Sequence, residues 1–276
     1  MGHTGRMREL LVIGMGPGHP DQITVQAVQA LNRVVVFFRI DKGDAKSGLN
    51  AAREQVLRRH VSRPGYRVVD IPEPPRDRSP ALAAAGYQDA VHDWHEARAL
   101  VVGAAIAAEL GEDGVGAFLV WGDPSLYDST LRIIDRLIGR GAVAFEYTVI
   151  PGVTSVQALA AAHRVPLNRV GEPVHITPAR RLAGGLPQGL DSAVVMLDPG
   201  FTAAGFDDPA LTVFWGGLPQ HAGRDADPRA AVRGGRGDHR DQGRAAGTAR
   251  LDHGHLPALA RLARPARPGR ARTSGL

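Results

Sequence analysis

The 276-residue chain contains no cysteine, which excludes disulfides, thiolate metal sites and a catalytic thiol. Aromatic residues make up only 5% of it, and none follows Trp215. No apolar stretch approaches the ~20 residues that span a bilayer, and the segment from Met1 to Met7 lacks the apolar region of a signal peptide. Internal repeats and heptads are also missing. These absences exclude the disulfide-stapled, membrane-spanning and coiled-coil classes, and cytoplasm is the expected location. The length suits one large or two modest α/β domains with a substantial core.

The charge is unevenly spread. The net charge is +5, which by itself suggests an acidic partner, yet residues 217–276 carry twelve Arg, five Asp and neither Lys nor Glu. The tail therefore holds +7 and the 216 residues before it −2. Arg, Ala and Gly dominate this tail, a composition that should not pack a core.

What is present is most informative at the N-terminus. The apolar run Leu10-Leu11-Val12-Ile13 ends in Gly14-Met15-Gly16-Pro17-Gly18-His19-Pro20, and a helix pattern opens at Asp21. A strand, a glycine loop and a helix start are how α/β proteins bring backbone amides to a ligand. The spacing is G-x-G-P-G, and Pro17 removes an amide, so the loop fits a dinucleotide poorly. The same layout occurs twice more. Phe118-Leu119-Val120-Trp121 breaks into Gly122-Asp123-Pro124-Ser125-Leu126-Tyr127, and Tyr147-Thr148-Val149-Ile150 runs into Pro151-Gly152-Val153-Thr154-Ser155. In an open parallel sheet such loops gather at the carboxyl edge of the strands, where ligands bind.

The segments GMGPGHPDQIT, WGDPSLY and IPGVTS resemble the tetrapyrrole methylase family, the S-adenosylmethionine-dependent enzymes of corrin and sirohaem synthesis. Asp41-Lys42-Gly43 with Lys46 and Leu49, and Tyr87 through His95, are similar to the branch that methylates C1 of the macrocycle and expels acetate. The resemblance implies a two-domain α/β fold: a parallel-sheet N-terminal domain, a smaller mixed C-terminal domain and an active site in the cleft between them. It implies S-adenosylmethionine as methyl donor, a small-molecule tetrapyrrole substrate and a homodimer, the last in doubt with the altered C-terminus. It places Pro17, Trp121, Gly122, Asp123, Leu126, Thr154, Ser155 and Leu197 around the cofactor. By residue chemistry alone, Asp123 before Pro124 equally makes an Asx-turn, and Thr154 or Ser155 equally caps a helix.

Strands are predicted over residues 9–14, 33–38, 67–71, 117–121 and 145–150, and helices over 21–32, 50–60 and 87–110. In the second domain, strands are predicted over 174–177, 193–197 and 211–215. The predicted domains are 1–165, a partial one at 166–216, and the tail 217–276, read as disordered or frameshifted. His92, Asp93, His95 and Tyr127 are candidate bases for acetate release by type, and none is singled out. His92 and His95 share a helix face, but no carboxylate completes a metal site, so no metal is expected. Arg39, Lys42, Lys46 and Arg53 suit the carboxylates of a corrin precursor, and equally a solvated basic surface.

Three readings of the tail stand: a nucleic-acid-binding extension, a linker without a role, or a changed reading frame in a GC-rich gene. Nucleic acid is not the favoured partner, and the third reading is preferred. Back-translating residues 217–226 with suitable codons and dropping one base gives Ala-Tyr-Leu-Ser-Thr-Pro-Asp-Glu-Met, and residues 251–256 conceal Trp-Ile-Met-Asp-Thr-Tyr in the same frame. Both strings resemble the end of the family's enzymes. On this reading the Phe214–Trp215 strand keeps an open edge, the tail is protease-sensitive and turnover is low. Sequencing the gene across the Gly216 codon is expected to show that a one-base shift restores an uninterrupted, family-like frame; without such a frame the reading fails.

Overall fold

The computed structural model describes residues 7–41, 47–75, 84–182, 185–198, 202, 206, 211–216, 231–233 and 258–263. Lys42 and Lys46, and most of the tail, lie outside them. The chain divides into two compact units, Met1–Ser155 and Val156–Leu276.

In the first unit the strands are β1 (Glu9–Gly14), β2 (Val36–Asp41), β3 (Arg67–Pro72), β4 (Val115–Val120) and β5 (Glu146–Ile150). They form one sheet in the order β3-β2-β4-β1-β5, with every pair parallel. Between them run α1 (Val25–Leu31), α2 (Ser47–His60), α3 (Ala84–Glu109) and α4 (Thr130–Arg140). Because strand side chains alternate between faces, Leu10 and Val12 pack with α3 and α4 residues such as Val102, Ile106, Ile134 and Leu137. Leu11 and Ile13 pack on the other face with Leu31, Val56 and Leu57 from the α1 and α2 region. The near-continuous apolar run of β1 is thus what a strand covered on both faces requires.

Strand order fixes where a site can form. The chain leaves β1 through α1 toward β2 on one side, and leaves β4 through α4 toward β5 on the other. β1 and β4 are neighbours, so their carboxyl ends form the topological switch point of the sheet, the crevice in which open α/β sheets bind ligands.

Several boundaries differ from the sequence reading. The first helix opens at Val25 rather than Asp21: Pro20–Gln22 form a separate 3-10 turn, and Thr24 caps α1 by accepting from Ala27 N at 3.1 Å. The second strand begins at Val36 because Arg33 N and Val34 N still bond back to Ala30 O and Leu31 O.

The second unit opens with α5 (Ser155–His163 overall) and holds β6 (Ile176–Pro178), β7 (Ser192–Asp198), β8 (Thr212–Gly216), β9 (Ala231–Arg233) and β10 (Ala258–Ala263). Its sheet runs β6-β7-β10-β8-β9. β6 pairs parallel to β7, and the other pairs are antiparallel. The division falls at the first residue of α5, which goes almost wholly with the second unit. Packing explains this: His163 Nε2 lies 2.8 Å from Trp215 O, and a Cβ on Gly216 would meet Leu159 at 2.7 Å. A core of Ala179, Leu182, Ala193, Val195, Leu211 and Val213 completes the unit.

The open edge expected at Phe214–Trp215 is not found. β8 is flanked by β10 and β9, both from the tail. Composition limited what the tail can bury, but ladder hydrogen bonds need only a backbone, which every residue supplies.

Two glycines test the packing of the first unit. Gly139, on the exposed side of α4, has nothing within 4 Å of an added Cβ, so Gly139→Ala should stabilise by about 0.5–1 kcal/mol. At Gly116 a Cβ would meet Phe38 at 2.9 Å and Leu110 at 3.0 Å, so Gly116→Ala should cost about 1–3 kcal/mol. Urea unfolding midpoints decide both, and equal effects would contradict the packing described.

Candidate functional site

The loops after β1, β4 and β5 meet backbone to backbone. A Cβ on Gly14 would lie 2.6 Å from Gly152 N and 2.8 Å from Gly122 O. One on Gly152 would lie 2.1 Å from Gly122 O. Real Cβ atoms essentially never come that close, so only glycine fits at Gly14 and Gly152. Gly16 and Gly122 exchange hydrogen bonds, Gly122 N to Gly16 O at 2.9 Å and Gly16 N to Gly122 O at 3.3 Å. Both take positive φ, 79° and 63°, which glycine adopts without steric cost.

Asp123 fixes the second loop to the third. Its Oδ2 accepts from Gly152 N at 2.8 Å, while Oδ1 accepts from Ser125 N at 2.8 Å and from Ser125 Oγ. Burial pushes its pKa up, but the bonds from the Ser125 hydroxyl, Gly152 N and Ser125 N outweigh that, and the net direction is below the ordinary 3.8. The Asx-turn is present, and the carboxylate also clamps a loop some thirty residues away in sequence.

Other ties hold the first and second loops. Thr24 Oγ1 reaches Pro151 O at 3.4 Å, and His60 Nε2 lies 2.9 Å from Pro20 O. Asp128 Oδ1 accepts from Thr130 N at 2.6 Å and so caps α4. Arg98 is 2% exposed; its Nη1 donates to Ser129 Oγ at 3.1 Å, its Nε lies 3.4 Å from Glu73, and its guanidinium stacks 4.5 Å from the Trp94 ring centre. These positioning residues were missed at the sequence level. Thr24 had a readable signal, a threonine one residue before a helix, whereas Arg98 had none.

Of the eight residues expected around a cofactor, seven lie on these converging loops. Pro17 is buried, Trp121 packs half-buried beside the Leu119 and Met15 core, and Leu126 is half-buried after the Asx-turn. The backbone at Thr154 lies 3.6 Å from a Cβ built on Gly122, and Ser155 opens α5. Leu197 belongs to the second unit, next to the last residue of β7. It is exposed with φ 56°, beside a buried Asp198 that accepts from Thr202 N and Oγ1. Tyr127 also has positive φ, 55°. Positive φ in a non-glycine residue is uncommon and concentrates at functional sites.

His92 and Asp93 are exposed on α3, their charged atoms 3.9 Å apart, and the His95 ring lies 4.9 Å from Trp94. Arg39 is bidentate to Asp70 and pairs with Glu54 at 3.5 Å.

The chain as a whole is similar to known proteins. The family description "Tetrapyrrole (Corrin/Porphyrin) Methylases" fits residues 9–205. The chain belongs to the tetrapyrrole methylase family. It is 47% identical over 210 residues to precorrin-6A synthase [deacetylating] of Sinorhizobium sp, covering 76% of this chain and 79% of that protein. It is 28% identical over 191 residues to precorrin-2 C(20)-methyltransferase of Sinorhizobium sp, covering 68% and 72%. Among solved structures, the cobalamin-synthesis-related protein CobF of Corynebacterium diphtheriae superposes with a TM-score of 0.69 at 31% identity, covering 94% of this chain and 98% of that one.

The clamp has a pH signature. The folded pKa of Asp123 lies below its unfolded value, so its stabilisation is full above pH 3.8 and is lost as pH falls through the folded value. Asp123→Ala, which strands the Gly152 N–H, should cost about 1 kcal/mol at neutral pH, near the low end because the carboxylate is partly solvated. Gly152→Ala should cost about 3 kcal/mol or more at every pH. Unfolding midpoints between acid and neutral pH check this, and an Asp123→Ala effect that persists undiminished in acid would remove the clamp.

Proposed function

We propose that the chain is an S-adenosylmethionine-dependent C-methyltransferase of corrin synthesis, acting at C1 of precorrin-5 with loss of acetate to give precorrin-6A. The observation that carries this is the 47% identity to precorrin-6A synthase [deacetylating] over three quarters of both chains. The loop geometry supports it. Tightly stacked glycine backbones hold the three loop ends together at the switch point, with Pro17 and Trp121 as apolar residues and Thr154 and Ser155 as hydroxyl-bearing residues on those loops. That donor set fits an adenosyl and amino-acid moiety better than a pyrophosphate, because Pro17 withholds an amide where a phosphate cradle needs one.

A bound sulfonium supplies an activated methyl and a neutral leaving group, so little acid–base help is needed from the protein. The chain's own task is to hold donor and acceptor in line and to exclude water. Pro17, Trp121, Gly122, Leu126, Thr154 and Ser155 are proposed as contacts from the first unit, and Leu197 from the second. Asp123 is proposed to act chiefly by holding the Gly152 loop in place. Loss of acetate requires attack of water or hydroxide on the acetyl carbonyl, for which a general base is useful. Tyr127, with its unusual backbone and its place on the second loop, suits that region better than His92 or Asp93, which stand on the exposed side of α3.

Mass spectrometry after incubation with S-adenosylmethionine and precorrin-5 tests the proposal. The expected product gains one methyl and loses the acetyl group. Methyl gain with the acetyl retained would assign the chain to another macrocycle methylase, and binding of nucleotide in place of the cofactor would overturn the reading altogether. A frame-restored chain run in parallel separates a wrong assignment from a tail that lowers turnover.

A further inference from the structure

Among its described residues the first unit also holds a cleft whose chemistry the proposed methyl transfer does not use. It measures about 430 Å³ including its open mouth, and Phe37, Phe38, Leu57, Val68 and Leu119 supply its apolar walls. Its polar lining is Arg39, Arg53 and Glu54. The two arginines differ in what balances them. Arg39 is neutralised by Asp70 and Glu54, and Glu54 in turn also meets Arg58 at 3.4 Å. Arg53 has no carboxylate within ion-pair distance among the described residues. Its Nε donates to Leu119 O at 3.2 Å and its Nη1 to Asn50 Oδ1 at 3.1 Å, both neutral acceptors.

A guanidinium carries five N–H donors, and these two bonds use two of them. Neutral amides would serve Leu119 O as well, so among the described residues no carboxylate pairs with this charge directly, and Asp128 acts on it only from beyond ion-pair distance. Arg53 is half-buried, and a cation withdrawn from water without a direct ion pair is costly. Here burial pulls the Arg53 pKa down to about 10, against the opposing field of Asp128, with Arg39 pushing it further down. A charge kept at such a cost, facing apolar walls, is what a site for an anion on a hydrocarbon stem looks like. The cleft runs along β2 and β3 from Phe37 and Val68 to Leu119 of β4, two residues ahead of Trp121.

We propose that the cleft beneath α2 binds a carboxylate carried on a short aliphatic stem, with Arg53 as its counter-ion. A side arm of a polycarboxylate macrocycle has this chemistry, as does a free short-chain acid such as released acetate. The macrocycle arm rests on the proposed function; the carboxylate site itself does not.

The test uses the full chain labelled with ¹⁵N, following arginine Nε–H signals during titration with sodium propionate, and with propionamide as the neutral counterpart. Propionate is expected to shift one signal saturably with a dissociation constant of about millimolar, and propionamide is expected to have no effect. The shift should vanish in Arg53→Met and persist in Arg63→Gln, an exposed control. No saturable shift in the wild-type chain, or one that survives in Arg53→Met, overturns the site. If Arg53→Met does not fold, Arg53→Lys, which keeps the charge but loses the fork, should weaken binding severalfold. Uroporphyrin III, a stable tetrapyrrole with a carboxylate on every side chain, separates the sources. A loss of about tenfold or more in its affinity in Arg53→Met assigns the cleft to a macrocycle arm, and an unchanged affinity beside lost propionate binding assigns it to free acids. Propionate binding with no methyl transfer, by this chain or by the frame-restored one, would overturn the proposed function and leave the site standing.

Discussion

Three glycines from three separate loops touch through their backbones, and the first unit is arranged around that contact. Gly14 ends β1, Gly122 follows β4 and Gly152 follows β5, and a single methyl at Gly14 or Gly152 would sit within 2.8 Å of a neighbouring main chain. Such closeness demands that β1 be flanked by β4 and β5 in parallel register, since only then do three carboxyl ends lie side by side. The strand order supplies this, and the opposite departures of the chain from β1 and β4 leave a crevice above it. Asp123 then locks what sterics permit, taking up the Gly152 N–H that the loop would otherwise leave without a partner. On the proposed function, methyl transfer needs little more from this region than rigid positioning, because the reactive methyl brings its own activation.

Much of this was readable from residues alone. An apolar run followed by glycine-bearing turns and a helix signal appears three times, and each gave a strand, a loop at the carboxyl edge and a helix. What could not be read was adjacency. Nothing in the string says that β1 lies between β4 and β5, so the contact of Gly14 with Gly152 has no local signature. Asp123 shows the same limit: the Asx-turn with Ser125 is local and was foreseen, whereas the bond to Gly152 spans two elements. The assignment of α5 also followed from packing, because its Leu159 and His163 meet Gly216 and Trp215, residues more than fifty positions away.

The tail illustrates how two physical criteria diverge. Its lack of aromatics and its wealth of Arg, Ala and Gly argue against a packed core, and that argument concerns side chains. β10 nevertheless pairs with both β7 and β8, because strand pairing draws on N–H and C=O groups common to all residues. An edge left by β8 attracts whatever backbone is at hand. Ladder pairing and apolar burial are separate contributions, and domain stability rests mainly on the second. A changed frame is therefore compatible with a recognisable sheet.

Charge follows the same logic of position over type. Arg39 and Arg53 were equivalent in the sequence, two basic residues suited to an acidic ligand. Parallel register sets Asp70 directly beside Arg39 across β2 and β3, so that charge is spent within the fold. Arg53 projects from α2, one helical turn beyond Asn50, toward the last residues of β4, where the acceptors are a carbonyl and an amide. Register consumed one cation and helix placement left the other without an anion. Of Arg39 and Arg53, the two described basic residues suited to a carboxylate-rich substrate, Arg53 is therefore the one without a direct ion pair among the described residues.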